Sequence, residues 1–121
     1  MNASASPTAL ANEAAEAIRS LNHATIFDGG YEWPSDVDAV LVELEVLTRR
    51  IPQALDQASR WLARAQSAGR VGHDGGEDPG PAVAEIETGL TVASSCAAQL
   101  AETLNRVRQL TARLTGTGVE G

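Results

Sequence analysis

Two histidines, one cysteine and sixteen carboxylates carry whatever chemistry this 121-residue chain performs, because all nine of its basic residues are arginine and lysine is absent. Without lysine there is no Schiff-base nucleophile and no phosphate-cradling lysine of the P-loop kind. His23 and His73 lie far apart in sequence, and neither has a second imidazole at metal-ligand spacing. His23 falls near the end of an expected helix, where an imidazole interacts well with the C-terminal dipole, and His73, beside Asp74, reads as solvated. Cys96 sits among Ser94, Ser95, Ala97 and Ala98 with no basic neighbour in sequence to stabilise a thiolate, so it reads as a small packing residue rather than a nucleophile. Asp74, Asp78 and Glu85 occupy positions one, five and twelve of a calcium-loop register. That loop needs an oxygen ligand at position three and glycine at six, where this chain has Gly76 and Pro79.

The carboxylates Glu13 and Glu16, followed by Glu32 and Asp36, resemble the acidic magnesium-binding motif of the all-alpha nucleotide pyrophosphatases. The resemblance implies a small metal-dependent enzyme or ligand-binding protein using these four acids, with His23, around the aromatic segment that follows. In that family both acidic pairs lie on helices; here Pro34 separates Glu32 from Asp36 and the second spacing is one residue longer. Carboxylates solvating a helix surface account for the same residues. From the residues themselves, no catalytic, cofactor or metal position is expected.

The elements that would hold these residues are helices. The chain is 43% hydrophobic but only 3% aromatic, which suits alanine-rich helix packing better than a sheet, and its length suits one domain. Ser6 followed by Pro7 reads as an N-cap with proline in the first turn, opening a helix over residues 7–24. The segment 25–34 holds three of the four aromatics, Phe27, Tyr31 and Trp33, and is expected to fold back and plug one end of the bundle. A second helix is expected over 35–68, capped by Ser35 at its start and Gly69 at its end, with two adjacent apolar seams and a kink at Pro52. Residues 69–81 form a glycine- and proline-rich loop. A third helix over 81–115 carries an unbroken three-four repeat: Val83, Ile86, Leu90, Ala93, Ala97, Leu100, Leu104, Val107, Thr111 and Leu114. Residues 1–6 and 116–121 read as flexible tails flanking a single helical domain, 7–115.

The second and third helices are expected to form a long antiparallel hairpin, giving an all-α, three-helix bundle per chain that dimerisation could complete. Asp36 with Arg113, Glu43 with Arg106 and Arg64 with Glu85 have residue numbers adding to 149 in each case, as antiparallel partners would. Net charge alternates along the chain, acidic through residue 48, basic over 49–72, acidic over 73–102 and basic beyond, so folding sets opposite blocks against one another. Such exposed pairs select register more than they stabilise. In this register Pro52 lies opposite Ala97, where small side chains leave room for a distorted backbone.

The first helix, about half as long as the others, covers only part of the hairpin. Trp61, Leu62, Val83, Ile86 and Leu90 at the far end are left without a third neighbour, and such a strip marks an interface with a second copy or a helical partner. The net charge of −7 argues against a nucleic-acid footprint. The single cysteine fits a reducing compartment, and neither a spanning segment nor a basic hydrophobic leader is visible, so the expectation is a soluble cytoplasmic protein. The words Leu21-Asn22-His23-Ala24-Thr25, Trp33-Pro34 with Asp36-Val37, Ile51-Pro52-Gln53-Ala54-Leu55, and Trp61-Leu62 resemble a group of short uncharacterised all-helical proteins frequent in actinomycete genomes. That resemblance implies a GC-rich source, in keeping with the absence of lysine, and attaches no activity. The function expected is a non-enzymatic helical adaptor that self-associates by helix–helix docking.

Overall fold

Ser6 accepts a hydrogen bond from the Ala9 amide at 3.1 Å and, with Pro7 in the first turn, starts helix α1 (Pro7–Ala24) as expected. The computed structural model describes residues 5–117, so the outer parts of the two expected tails lie outside the described residues. A short 3-10 turn (Asp28–Gly30), α2 (Pro34–Ser67) and α3 (Gly80–Thr111) follow, with no strand among the described residues. None of the helices is long and apolar enough to cross a membrane.

The start of α2 differs from expectation. The helix begins at Pro34 rather than 35, and its cap is Asp36 in the first turn instead of Ser35. The Asp36 carboxylate reaches back to accept the backbone amides of Glu32 at 2.8 Å and Trp33 at 2.9 Å, satisfying donors that no helical carbonyl can reach. At the other end Gly69 adopts a left-handed φ of 74°, its amide donates to Gln66 O, and the Arg70 amide donates to Ala65 O. This double closure needs the backbone freedom of glycine. α2 continues unbroken through Pro52, and α3 ends at Thr111, four residues short of the expected limit.

α2 and α3 pack side by side along their length as an antiparallel hairpin. Asn105 meets Glu45, Thr111 meets Asp38, and the Ser94 hydroxyl donates to the Pro52 carbonyl at 3.4 Å. The first two contacts fall within one residue of the register expected from sequence, whereas the Pro52 carbonyl meets Ser94, nearly one turn before the expected Ala97. The rotation of α3 also differs from expectation. The side turned toward α2 consists of Val83, Leu90, Ala97, Leu104 and Thr111 together with Ser94, Ala101 and Arg108; Ile86, Leu100 and Val107 face solvent. Half of the three-four repeat is thus replaced by the positions one residue further on. Small side chains at 94, 97 and 101 let α3 approach Pro52 closely, and the same rotation carries Arg108 between Asp38 and Glu45.

α1 lies beside α2, with Leu21 and Ala24 bordering one cleft with Ala39 and Val40, and Ala14 bordering another with Val46 and Leu47, so it runs antiparallel to α2. None of its residues is buried. The aromatic segment does not plug the bundle: Phe27 is 80% exposed and Ile26 lies in solvent. Only Trp33 packs, with its ring against Gly116, where a Cβ would collide with it.

Candidate functional site

The best-organised group of polar side chains is one that sequence reasoning passed over, set along one side of the α2–α3 seam. Glu45 occupies the stripe of α2 that faces α3 (38, 41, 45, 48, 52) and is 9% exposed. Its Oε2 accepts Arg49 Nε at 3.0 Å and Asn105 Nδ2 at 3.3 Å, with Arg49 Nη2 at 2.9 Å completing a fork. The Arg108 guanidinium stretches between Glu45 (Nη1 to Oε1, 3.8 Å) and Asp38 (Nε to Oδ1, 3.7 Å). Thr111 donates its hydroxyl to Asp38 at 2.6 Å, and Arg49 reaches Glu102 at 3.7 Å. Thr48, buried beside Glu45, returns its hydroxyl to the carbonyls of Leu44 and Glu45. Arg108 Nε is buried without a hydrogen bond, so attraction to two carboxylates holds it rather than close pairing.

The charged blocks therefore meet as their signs demand, acidic 38–45 against Arg108 and basic Arg49 against Glu102, but through other residues than the three pairs that share a sum of 149. Asp36 is engaged in capping, Glu43 faces the α1 side of α2, and Arg113 and Arg64 make no ion pair among the described residues. A signal did exist: Asp38 and Glu45 are carboxylates at positions of the α3-facing stripe, and buried charges persist only when partnered. The cluster holds three cationic or amide donors against three carboxylates, and none of its residues is a nucleophile. Its chemistry is that of a latch fixing register.

The residues expected to bind a ligand are not gathered. Glu13 and Glu16 project from the exposed face of α1, where Glu16 pairs with Arg19 at 3.3 Å. His23 is exposed and lines a shallow depression with Arg19 and Ser20. Glu32 and Asp36 border a cleft of about 720 Å³ formed by the end of α1, the aromatic segment and the start of α2. Hydrogen bonds, from the Trp33 amide first and then the Glu32 amide, hold the Asp36 carboxyl below its ordinary pKa. Its charge is committed to the helix start. No three histidine, cysteine or acidic side chains among the described residues converge on a point that would hold a metal ion. In the 69–81 loop, His73 Nδ1 accepts the Gly75 amide at 3.1 Å and lies 3.3 and 3.5 Å from the Asp74 and Glu77 carboxylates, and Asp78 accepts the Gly80 amide; Glu85 lies on α3.

Of the expected interface strip, Trp61 is 52% exposed, with the Arg70 guanidinium 5.6 Å above its ring, and Ile86 is 44% exposed. Leu62 and Leu90 are half-buried. Val83 is corrected: at 4% exposure it belongs to the small core under α3 and has no surface to offer a partner. No family model, curated protein or solved structure matches the chain.

Proposed function

We propose that this chain is a non-enzymatic helical interaction protein that acts by docking helix on helix, first of all with a second copy of itself. The observation that carries the reading is how little the single chain buries. Its buried hydrophobic residues, among those described, are Ala65, Val83, Ala97 and Ala101, and no large side chain is fully enclosed. A folded monomer of 12.6 kDa exposes about 6,200 Å² by the usual scaling of surface with mass. This chain exposes 8865 Å², an excess of about 2,700 Å². Obligate dimers bury about 1,000 to 2,500 Å² on each subunit, so a partner laid along the hairpin would remove a large part of that excess. Trp61, Leu62 and Ile86 form the loop end of the docking face, beyond the reach of α1, and Arg60 and Arg64 supply its polar rim, while Leu90 is turned toward α2.

Light scattering after size exclusion, across dilution, tests this directly. The expected mass is twice 12.6 kDa. Substituting Trp61→Asp and Ile86→Asp should return a folded monomer, since both side chains are exposed in the single chain. A wild-type monomer at every concentration would reject self-association. The alternative, a metal-dependent enzyme or ligand-binding protein of the nucleotide pyrophosphatase type, draws on the cleft bordered by Glu32 and Asp36. It predicts stabilisation by magnesium, read as a rise in melting temperature.

A further inference from the structure

We infer that two copies pair antiparallel through the outward seam of α3, with the twofold axis beside Leu100, which rests on the reading that the chain self-associates. Ile86, Ala93, Leu100 and Val107 recur every seven residues along α3, with Leu114 at the same spacing just past its end, and apart from half-buried Ala93 each is exposed. A seven-residue apolar repeat is the pattern of a seam that coils around another helix. α2 does not fill it, because α2 packs against the neighbouring seam through Val83, Ala97 and Ala101.

Three independent features choose the partner and its direction. The first is size. Near the axis the N-terminal side of this face carries Gly89, Ala93 and Cys96, with Ile86 at its outer end, whereas the C-terminal side carries Val107 and Leu110, the last 70% exposed. Antiparallel pairing about Leu100 sets Val107 over Ala93 and Leu110 close beside Gly89, large on small on either side of the axis. Parallel pairing sets leucine on leucine and leaves a gap at glycine.

The second feature is Gly89 itself. Glycine is the poorest helix former after proline, and here it stands in the middle of a 32-residue helix. A Cβ at this position would meet nothing within 4 Å, so no contact inside the chain accounts for it. Close approach of an outside side chain does.

The third feature is charge. On the exposed side, the first part of α3 bears Glu85, and the last part bears Arg106 and, just beyond, Arg113; Arg108 is held against α2 and takes no part. Turned end for end, a second copy brings Arg113 beside Glu85 at both extremities of the contact. The same copy in parallel stacks acid on acid. The face is thus complementary to itself in one orientation, as a twofold interface requires.

The test combines absolute mass, one distance and one substitution. A spin label on Ala84→Cys in a Cys96→Ser background sits sixteen residues from Leu100. Antiparallel pairing separates the two labels by about 48 Å along the helix axis at 1.5 Å per residue; parallel pairing brings them within about 20 Å, roughly two helix diameters. Gly89→Leu improves the helix and has open space within its own chain, so a loss of pairing cannot be ascribed to unfolding.

The expected result is a double mass, a label distance near 48 Å, and at least tenfold weaker self-association of Gly89→Leu with unchanged helical content. A double mass with any other distance, or with Gly89→Leu pairing as tightly as the wild type, overturns the α3 seam while leaving self-association standing. A single-chain mass overturns both.

Discussion

Removing the Glu45 carboxylate is the sharpest perturbation of the hairpin. In Glu45→Ala the Arg108 guanidinium, whose Nε already lacks a hydrogen bond, keeps only Asp38 at 3.7 Å. Arg49 keeps only Glu102, also at 3.7 Å, and Asn105 loses its acceptor. Breaking a fully buried pair costs about 3 to 5 kcal/mol, and losing an exposed one up to about 1 kcal/mol. The Glu45 side chain is largely enclosed, but the Arg108 and Arg49 side chains retain 29% and 46% exposure, so the cost falls between these limits, at about 2 kcal/mol. For a chain of this size that is a melting-temperature drop of about 6 to 12 °C. Urea unfolding followed by circular dichroism measures it, at fixed protein concentration because the proposed self-association would add to apparent stability. Arg49→Ala, which leaves Arg108 and Asn105 on Glu45, should cost less than about 1 kcal/mol. Glu45→Ala and Arg108→Ala should be non-additive by at least about 0.5 kcal/mol. A Glu45→Ala protein within about 0.5 kcal/mol of wild type, or strictly additive singles, would refute the reasoning that the cluster holds the hairpin.

Two further predictions concern the ends and the middle of α2. Ala97→Leu inserts three carbons where α3 crosses Pro52 and should destabilise by about 2 kcal/mol, or about 8 °C, by differential scanning calorimetry; an unchanged melting temperature would contradict close packing there. Asp36→Asn removes the cap charge. Because the folded-state pKa of Asp36 is lowered from 3.8, its stabilisation is complete above about pH 4 and disappears as pH falls through the lowered value. The stability gap between wild type and Asp36→Asn should therefore be widest near neutrality and close in acid, and a gap independent of pH would exclude the capping role.

Much of the fold was legible because it is local. Ser6 with Pro7, and Gly69 beyond Ser67, stop and start helices through hydrogen bonds made within a few residues. The start of α2 was misread by one position because Ser35 and Asp36 are both good capping residues, and only geometry shows that Asp36 reaches the amides of Glu32 and Trp33. The aromatic segment was misread because large aromatics usually bury. Here the backbone returns so close to the end of α1 that a Cβ at Gly30 would collide with the Ala24 carbonyl, and Phe27 stands in solvent. The exposure of Trp61 and Ile86 was legible, but not the burial of Val83, which depends on how α3 is rotated.

The sequence by itself determined that the chain is helical, where the helices begin and end within a few residues, and that α2 and α3 run antiparallel in a register joining 45 to 105 and 38 to 111. Propensity, capping and the length of a hairpin decide those things, and all three are read along one strand of text. Only the tertiary structure decided which of two neighbouring seams on α3 meets α2. Both seams share Val83, Leu90, Ala97, Leu104 and Thr111, so periodicity does not separate them. The fit does: Ser94, Ala97 and Ala101 against Pro52, and Arg108 between Asp38 and Glu45, require one rotation. That rotation buries Glu45 and leaves Leu100, 49% exposed, facing outward.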